Sequence, residues 1–440
     1  MNVEHESQWE QDLLEKINWL AQFGKDSENG GITRLLYSET WLDAQLALKK
    51  MFEEEGFHTE FDEVGNLFAR LNGSDYMNET ILTGSHIDTV KNGGLYDGQL
   101  GILAGFFALK HLQQTYGQPL RNIEIVSMAE EEGSRFPYIM WGSKNIAGQA
   151  NPEDVKQIKD ANGESFEEAM SKVGFRFKKP RETARDDLKA FIELHIEQGN
   201  VLETEEIPIG IVQHIVGQRR YNVEVTGQAN HAGTTPMGYR RDAMNAAARM
   251  IHGINDLALS YGDPLVATVG EIQAQPGTVN VVPGKVMFSI DARHINGEEL
   301  QSFTENMTEN LQTVADHIGV EIDIDMWMDE PPVPMDPAIV DIIKQQCDKQ
   351  QLTYKLMHSG AGHDAQVFAQ DIPTAMLFVP SRDGISHNPQ EYTEPKDLAE
   401  GIKALTGALY ELGYENELSL NKKGIPKMNE TTTIGKESEV

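Results

Sequence analysis

The chain is expected to be an α/β protein: a mainly parallel sheet with helices on its faces, interrupted by an inserted ferredoxin-like unit. Three observations predict this. Amphipathic stretches alternate with short apolar runs through the first 200 residues, the rhythm of βα units. From Arg219 to Met328 the order becomes strand, helix, strand, strand, helix, strand, which is the split βαβ unit. The third is length, because 440 residues exceed the roughly 250–300 at which single cores stop growing. Residues 1–213 and 329–413 are therefore expected to form one domain and residues 214–328 an inserted one.

Along the first part, Trp41, Ala44, Leu48, Met51 and Phe52 fall at helical spacing within residues 37–55, with Ser38 or Thr40 as N-cap and Gly56 as the stop. Strands follow at residues 59–63, 67–71 and 80–82, a helix at 98–115, and buried strands at 123–128 and 190–194. The insert is read as strand 221–225, helix 240–257, strands 265–272 and 285–291, helix 297–318 and strand 320–324. Residues 330–337 carry Pro331, Pro332, Pro334 and Pro337, and proline blocks both helix interiors and sheet ladders, so they read as an irregular return linker. Strand and helix signals then resume through Leu412, among them an apolar strand at 375–379. The segment 414–440, rich in Asn, Lys, Thr, Glu and Gly, is expected to be a disordered tail.

Composition excludes several roles. A formal net charge of −32 repels phosphate backbones and anionic lipid, so neither nucleic acid nor membrane is expected as a partner. No apolar run reaches the roughly 18 residues of a membrane span. The acidic, polar start lacks the features of a secretory signal, which predicts a cytoplasmic protein. Cys347 is the single cysteine, so any metal must be held by histidine and carboxylate.

Four short motifs carry the chemistry, each after an apolar strand or in the loop beyond it. In Gly84-Ser85-His86-Ile87-Asp88-Thr89, His86 can supply an imidazole ligand, and Asp88, two residues along an extended chain, lies on the same side to orient the ring. Asp97 follows in a glycine-rich loop, placed to bridge two metals. Glu130-Glu131-Glu132 sets three carboxylates at a strand end, where a cation would relieve their repulsion and one neighbour could serve as general base. His195 and His387 add two imidazoles, with Gly199 and Pro389 shaping their loops.

The order His, Asp, Glu-Glu, His, His from His86 to His387 resembles the M20-type metallopeptidase and amidase group. Longer blocks, among them Gly31-Ile32-Thr33-Arg34, Asn230-His231-Ala232-Gly233-Thr234-Thr235-Pro236-Met237-Gly238 and His358-Ser359-Gly360-Ala361-Gly362-His363-Asp364, are similar to its branch acting on ureido (carbamoyl) compounds. That resemblance implies two divalent metal ions, Mn²⁺ first, with Zn²⁺ or Co²⁺ also suited to nitrogen and oxygen donors. It assigns one ion to His86, Asp97 and His195, the second to Asp97, Glu132 and His387, and the general base to Glu131. It implies a small ureido carboxylate as substrate, allantoate ahead of N-carbamoyl-L-amino acids, with Asn280 and Arg293 on its carboxylate. It also implies a homodimer in which His231 enters the partner's site to stabilise the oxyanion. Gln218 and Arg220, two apart in a strand-like stretch, share a side and could face the cleft, and backbone N–H groups around Gly360 and Gly362 could cradle an anion.

Overall fold

The computed structural model describes residues 3–179 and 184–416. Before the insert come β1 (His58–Phe61), β2 (Leu67–Leu71), β3 (Tyr76–His86), β4 (Arg121–Met128), β5 (Leu188–Ile196) and β6 (Ile209–Ile215). The insert holds β7 (Gly217–Thr226), β8 (Asn230–His231), β9 (Val266–Thr268), β10 (Ile272–Gln275), β11 (Val281–Val282), β12 (Lys285–His294) and β13 (Glu321–Glu330). After it come β14 (Val333–Pro334), β15 (Tyr354–Ser359) and β16 (Thr374–Val379).

The larger sheet runs β1-β2-β4-β3-β5-β16-β6-β14, with β15 also paired to β6. Its centre, β4-β3-β5-β16, is parallel. β1 and β2 extend one side antiparallel, and β6 and β14 join antiparallel on the other. The β4 side chains are buried throughout, as central strands covered on both faces require. Helices Val3–Ala21, Gln99–Tyr116, Pro337–Gln350 and Pro395–Tyr414 form one contiguous layer over this sheet. Of the two candidate caps for helix Glu39–Glu54, Ser38 does the work, its Oγ accepting the Trp41 N–H at 3.2 Å.

The insert forms a separate antiparallel sheet, β10-β12-β7-β13 with β9 also on β12. Helices Ala243–Tyr261 and Gly297–Ile318 pack against it, and residues such as Val223, Val225, Phe288, Ile290, Phe303 and Met307 make a core of their own.

Several expectations need correction. The strand expected at 265–272 is two strands, β9 and β10, whose registers against β12 differ by one residue across Gly270, as a bulge produces. The helix expected from residue 240 starts at Ala243, because Asp242 caps it by accepting the N–H groups of Met244 and Asn245. The return linker is not wholly irregular: Val333 and Pro334 pair with Ile215 and His214 at the sheet edge, where proline is tolerated. The last helix reaches Tyr414, whose hydroxyl donates to the Gly117 carbonyl at 2.9 Å. The expected disordered tail, from residue 417 onward, lies outside the described residues. Among the described residues no helix is long and apolar enough to cross a membrane.

Candidate metal centre

The C-terminal ends of the parallel strands converge on one site, as in other open α/β sheets. His86 is the last residue of β3, Glu130 to Glu132 follow β4, His195 lies at the end of β5, and His387 lies in the loop after β16. Between them stands Asp97. Its Oδ1 is 3.3 Å from Nε2 of both His86 and His195, and its Oδ2 is 3.2 Å from Nε2 of His387. His387 Nε2 is in turn 3.5 Å from Glu132 Oε1. The sets His86–Asp97–His195 and Asp97–Glu132–His387 therefore each gather three donor atoms around the shared Asp97. Glu132 Oε1 is buried without a hydrogen-bond partner, which is costly unless a cation meets it. The donor set fits two borderline divalent ions. Glu193 also lies near His195, but Ser85 Oγ and the Ala365 N–H already occupy its two oxygens at 2.7 and 3.0 Å.

The backbone permits this crowding at specific glycines. A Cβ on Gly98, which has φ 67°, would meet the His86 ring at 2.5 Å. A Cβ on Gly94 would lie 2.3 Å from the Glu391 carboxyl group.

Asp88 does more than orient His86. Its Oδ1 is 3.2 Å from His86 Nδ1 and accepts the Glu131 N–H at 2.9 Å, while Oδ2 accepts the Glu132 N–H at 3.2 Å. One carboxylate thus fixes both an imidazole ligand and the acidic turn. Burial works against ionisation of Asp97, but His195, His387 and His86 together hold its carboxyl well below the usual range. Burial pushes Glu131 well up, with Glu132, Asp364 and Asp88 adding to the rise and His86 opposing it. Burial and Asp97 lift Glu132 to about 7, and the bond to Asp97 raises His387 to about 9. Burial favours the protonated form of Glu131, so it holds a proton firmly once taken, and cations at the neighbouring donors would oppose the rise and leave the carboxylate free to act as a general base.

Three supporting residues escaped the sequence reading. Glu391 Oε1 accepts the N–H groups of Tyr96 and Asp97 at 2.7 and 3.0 Å, and its Oε2 lies 3.1 Å from Ser386 Oγ. Ser386 Oγ and Gln198 Nε2 both reach Asp97 Oδ2, at 3.0 and 2.9 Å. For Ser386 and Gln198, positions close to His387 and His195 were the available signal.

A cleft of about 320 Å³ opens over the site. Gln218, Arg220, Arg293, Gly360 and Gly362 all line it, facing Glu131. In the glycine turn Gly360 presents its carbonyl to Arg293 Nη1 and the Ala361 N–H is taken by Ser359 Oγ, which leaves the N–H groups of Gly360 and Gly362 as the ones an anion cradle would use. His231 and Asn280 do not line this cleft. They lie together on the exposed β8–β11 ribbon, where Asn280 O accepts the Ala232 N–H at 2.9 Å, so Asn280 keeps company with His231 and not with Arg293.

Imidazoles and carboxylates gathered at parallel strand ends, with a raised carboxyl beside them, define a metal-dependent hydrolase. The chain belongs to peptidase family M20/M25/M40, whose model matches residues 82–411. It is 53% identical over 405 residues to allantoate amidohydrolase of Escherichia coli (strain K12), covering 92% of this chain and 98% of that one. It is 46% identical to the allantoate amidohydrolase of Bacillus subtilis (strain 168), covering 91% and 97%. A solved amidase of the hydantoinase/carbamoylase family from Burkholderia multivorans superposes with a TM-score of 0.88 at 34% identity, covering 92% of this chain and 98% of that one.

Proposed function

We propose that this enzyme hydrolyses a ureido C–N bond of allantoate, working in the cytoplasm as a homodimer. Water adds, ammonia leaves, and the resulting carbamate loses carbon dioxide to give ureidoglycine. The observation that carries the substrate is the 53% identity to an allantoate amidohydrolase across nearly both chains, against 34% for the carbamoylase-family amidase.

Metal ions held by His86, Asp97, His195, Glu132 and His387, with Mn²⁺ the first choice over Zn²⁺ and Co²⁺, would polarise the ureido carbonyl and make water more acidic. Glu131 takes the proton of the attacking water on its carboxylate and returns it to the departing ammonia. Asp88 holds Glu131 in place through the backbone. Gln218, Arg220 and Arg293 hold the substrate carboxylate, with the two terminal nitrogens of the Arg220 guanidinium matching its two oxygens.

Residues 214–328 act as lid and dimerisation unit, moving on the segments near residues 212–217 and 328–334. His231 donates to the oxyanion in the partner's site. Its absence from the cleft of its own chain supports that reading, as do the exposed Met237, Tyr239 and Val279 around it. Mixing inactive Glu131→Gln and His231→Ala chains should restore activity, since hybrid dimers hold one complete site; a mixture no more active than its parts removes the shared site.

The test of the reaction is ammonia release from allantoate, measured alongside metal content and compared with N-carbamoyl-L-amino acids. Turnover of the latter with negligible release from allantoate would move the assignment to an N-carbamoyl-L-amino acid amidohydrolase.

A further inference from the structure

Gln218, Arg220 and Arg293, which the insert brings to the cleft beside Glu330, share one partner. Asp291, on β12, accepts from Gln218 Nε2 at 2.7 Å, from Arg220 Nε at 2.9 Å, and from Arg293 through Nε at 2.8 Å and Nη2 at 2.9 Å. The arrangement is set by the ladder, because β12 places Asp291 opposite Arg220 and Arg293 opposite Gln218. Half-burial works against the Asp291 charge, but Arg293, Arg220 and Gln218 hold its carboxyl below the usual value, so it is ionised at neutral pH.

Two consequences follow for a ligand. Arg220 and Arg293 bring two positive charges to the insert's wall, and Asp291 and Glu330 match them, so the wall carries no net charge before a ligand enters. The Nε–Nη2 edge of Arg293 is already engaged by Asp291, and its Nη1 donates to the Gly360 carbonyl on the opposite wall. Arg220 is held further by packing over the Trp327 ring at 5.5 Å. One ligand carboxylate meets the N–H groups of Arg220 that Asp291 leaves free. A second would find no unmatched positive side chain on this wall and would lie near Glu330, and like charges so placed cost affinity.

On the reading that the substrate is a ureido carboxylate, we propose that Asp291 is a specificity-determining residue that sets the cleft for ureido monocarboxylates and against dicarboxylates.

The test is binding of N-carbamoylglycine and N-carbamoyl-L-aspartate to the metal-loaded enzyme, followed by calorimetry in a Glu131→Gln background so that turnover does not interfere. The parent should favour N-carbamoylglycine by about tenfold or more, and Asp291→Asn should reduce that preference by about tenfold, with metal content unchanged. Asp291→Glu, which keeps the charge, should retain the preference while weakening both ligands. Asp291→Ser is read in the same way if the asparagine substitution does not fold. A parent without preference, or a preference unchanged by charge removal, overturns the proposal. Lack of allantoate turnover by the unmodified enzyme would overturn the substrate assignment alone, since the calorimetric ratio uses neither allantoate nor catalysis.

Discussion

The two walls of the cleft are built by opposite means. On the sheet side, Asp97 is reached by His86, His195, His387, Ser386 and Gln198, and its own N–H is held by Glu391. His86 and His195 are buried at strand ends and Asp97 and Glu391 are buried in the neighbouring loops, while His387 reaches in from an exposed position. On the insert side, Gln218, Arg220 and Arg293 stand half-exposed on an antiparallel ladder and depend on the single carboxylate of Asp291. The first wall is over-determined and the second is lightly held. Reacting groups gain from fixed placement, because reorganisation during reaction is what a preorganised site avoids. A recognition wall tolerates looser support, and a change there alters which ligand is held before it alters what is done to it.

Substitutions on the two walls should separate these contributions. The largest effect is expected from Glu131→Gln: turnover should fall by about a thousandfold while bound metal stays constant, measured by ammonia release and elemental analysis. Unchanged turnover would remove Glu131 from the reaction. Glu391→Gln should weaken metal binding by about tenfold to a hundredfold, read by competition with a chelator. Arg293→Lys should raise KM about tenfold with kcat within a factor of two, since a point charge cannot reproduce the fork. A collapse of kcat there would mean that the walls are not separable.

Two smaller effects bound the comparison. Asp187 lies on the sheet body, where burial opposes its ionisation but Arg185 and Thr80 hold its carboxyl down to about 2. Its pKa is depressed below the ordinary value, so its stabilisation is present above about pH 4 and is lost as pH falls towards about 2. Asp187→Asn should therefore cost about 1 kcal/mol at neutral pH, discounted for partial exposure, and flatten the acid limb of a Tm-against-pH curve. The smallest effect is expected at Gly360, where an added Cβ meets nothing within 4 Å. Gly360→Ala should leave KM within about twofold, and a large rise would mean that a ligand approaches the backbone of that turn closely.

Much of the sheet-side wall was legible in the sequence, because apolar runs such as 123–128 and 190–194 mark buried strands and their ends carry the ionisable residues. The grouping of His86, Asp97, Glu132, His195 and His387 follows from that regularity and from the family resemblance. Glu391 was not legible, since its contact with Tyr96 spans 295 positions and nothing local distinguishes it from a surface glutamate. Asp291 was hidden for another reason. Its role depends on the register of β12 against β7, and a one-residue slip would turn it to the other face. The separation of Asn280 from Arg293 likewise depends on the pairing of β8 with β11, two short strands with no periodic signal of their own.

The bond between Glu391 and the Tyr96–Asp97 backbone also bears on how the protein is made. The loop carrying Asp97 emerges early in synthesis, but its partner lies almost 300 residues later. A nascent chain can form β3 and β4 long before it possesses His387 or Glu391, and domains with such distant pairings are completed late. The set Asp97, Glu132 and His387 is therefore unfinished until His387, about 290 residues after Asp97, has left the ribosome, and an ion that needs all three could be held only from that point.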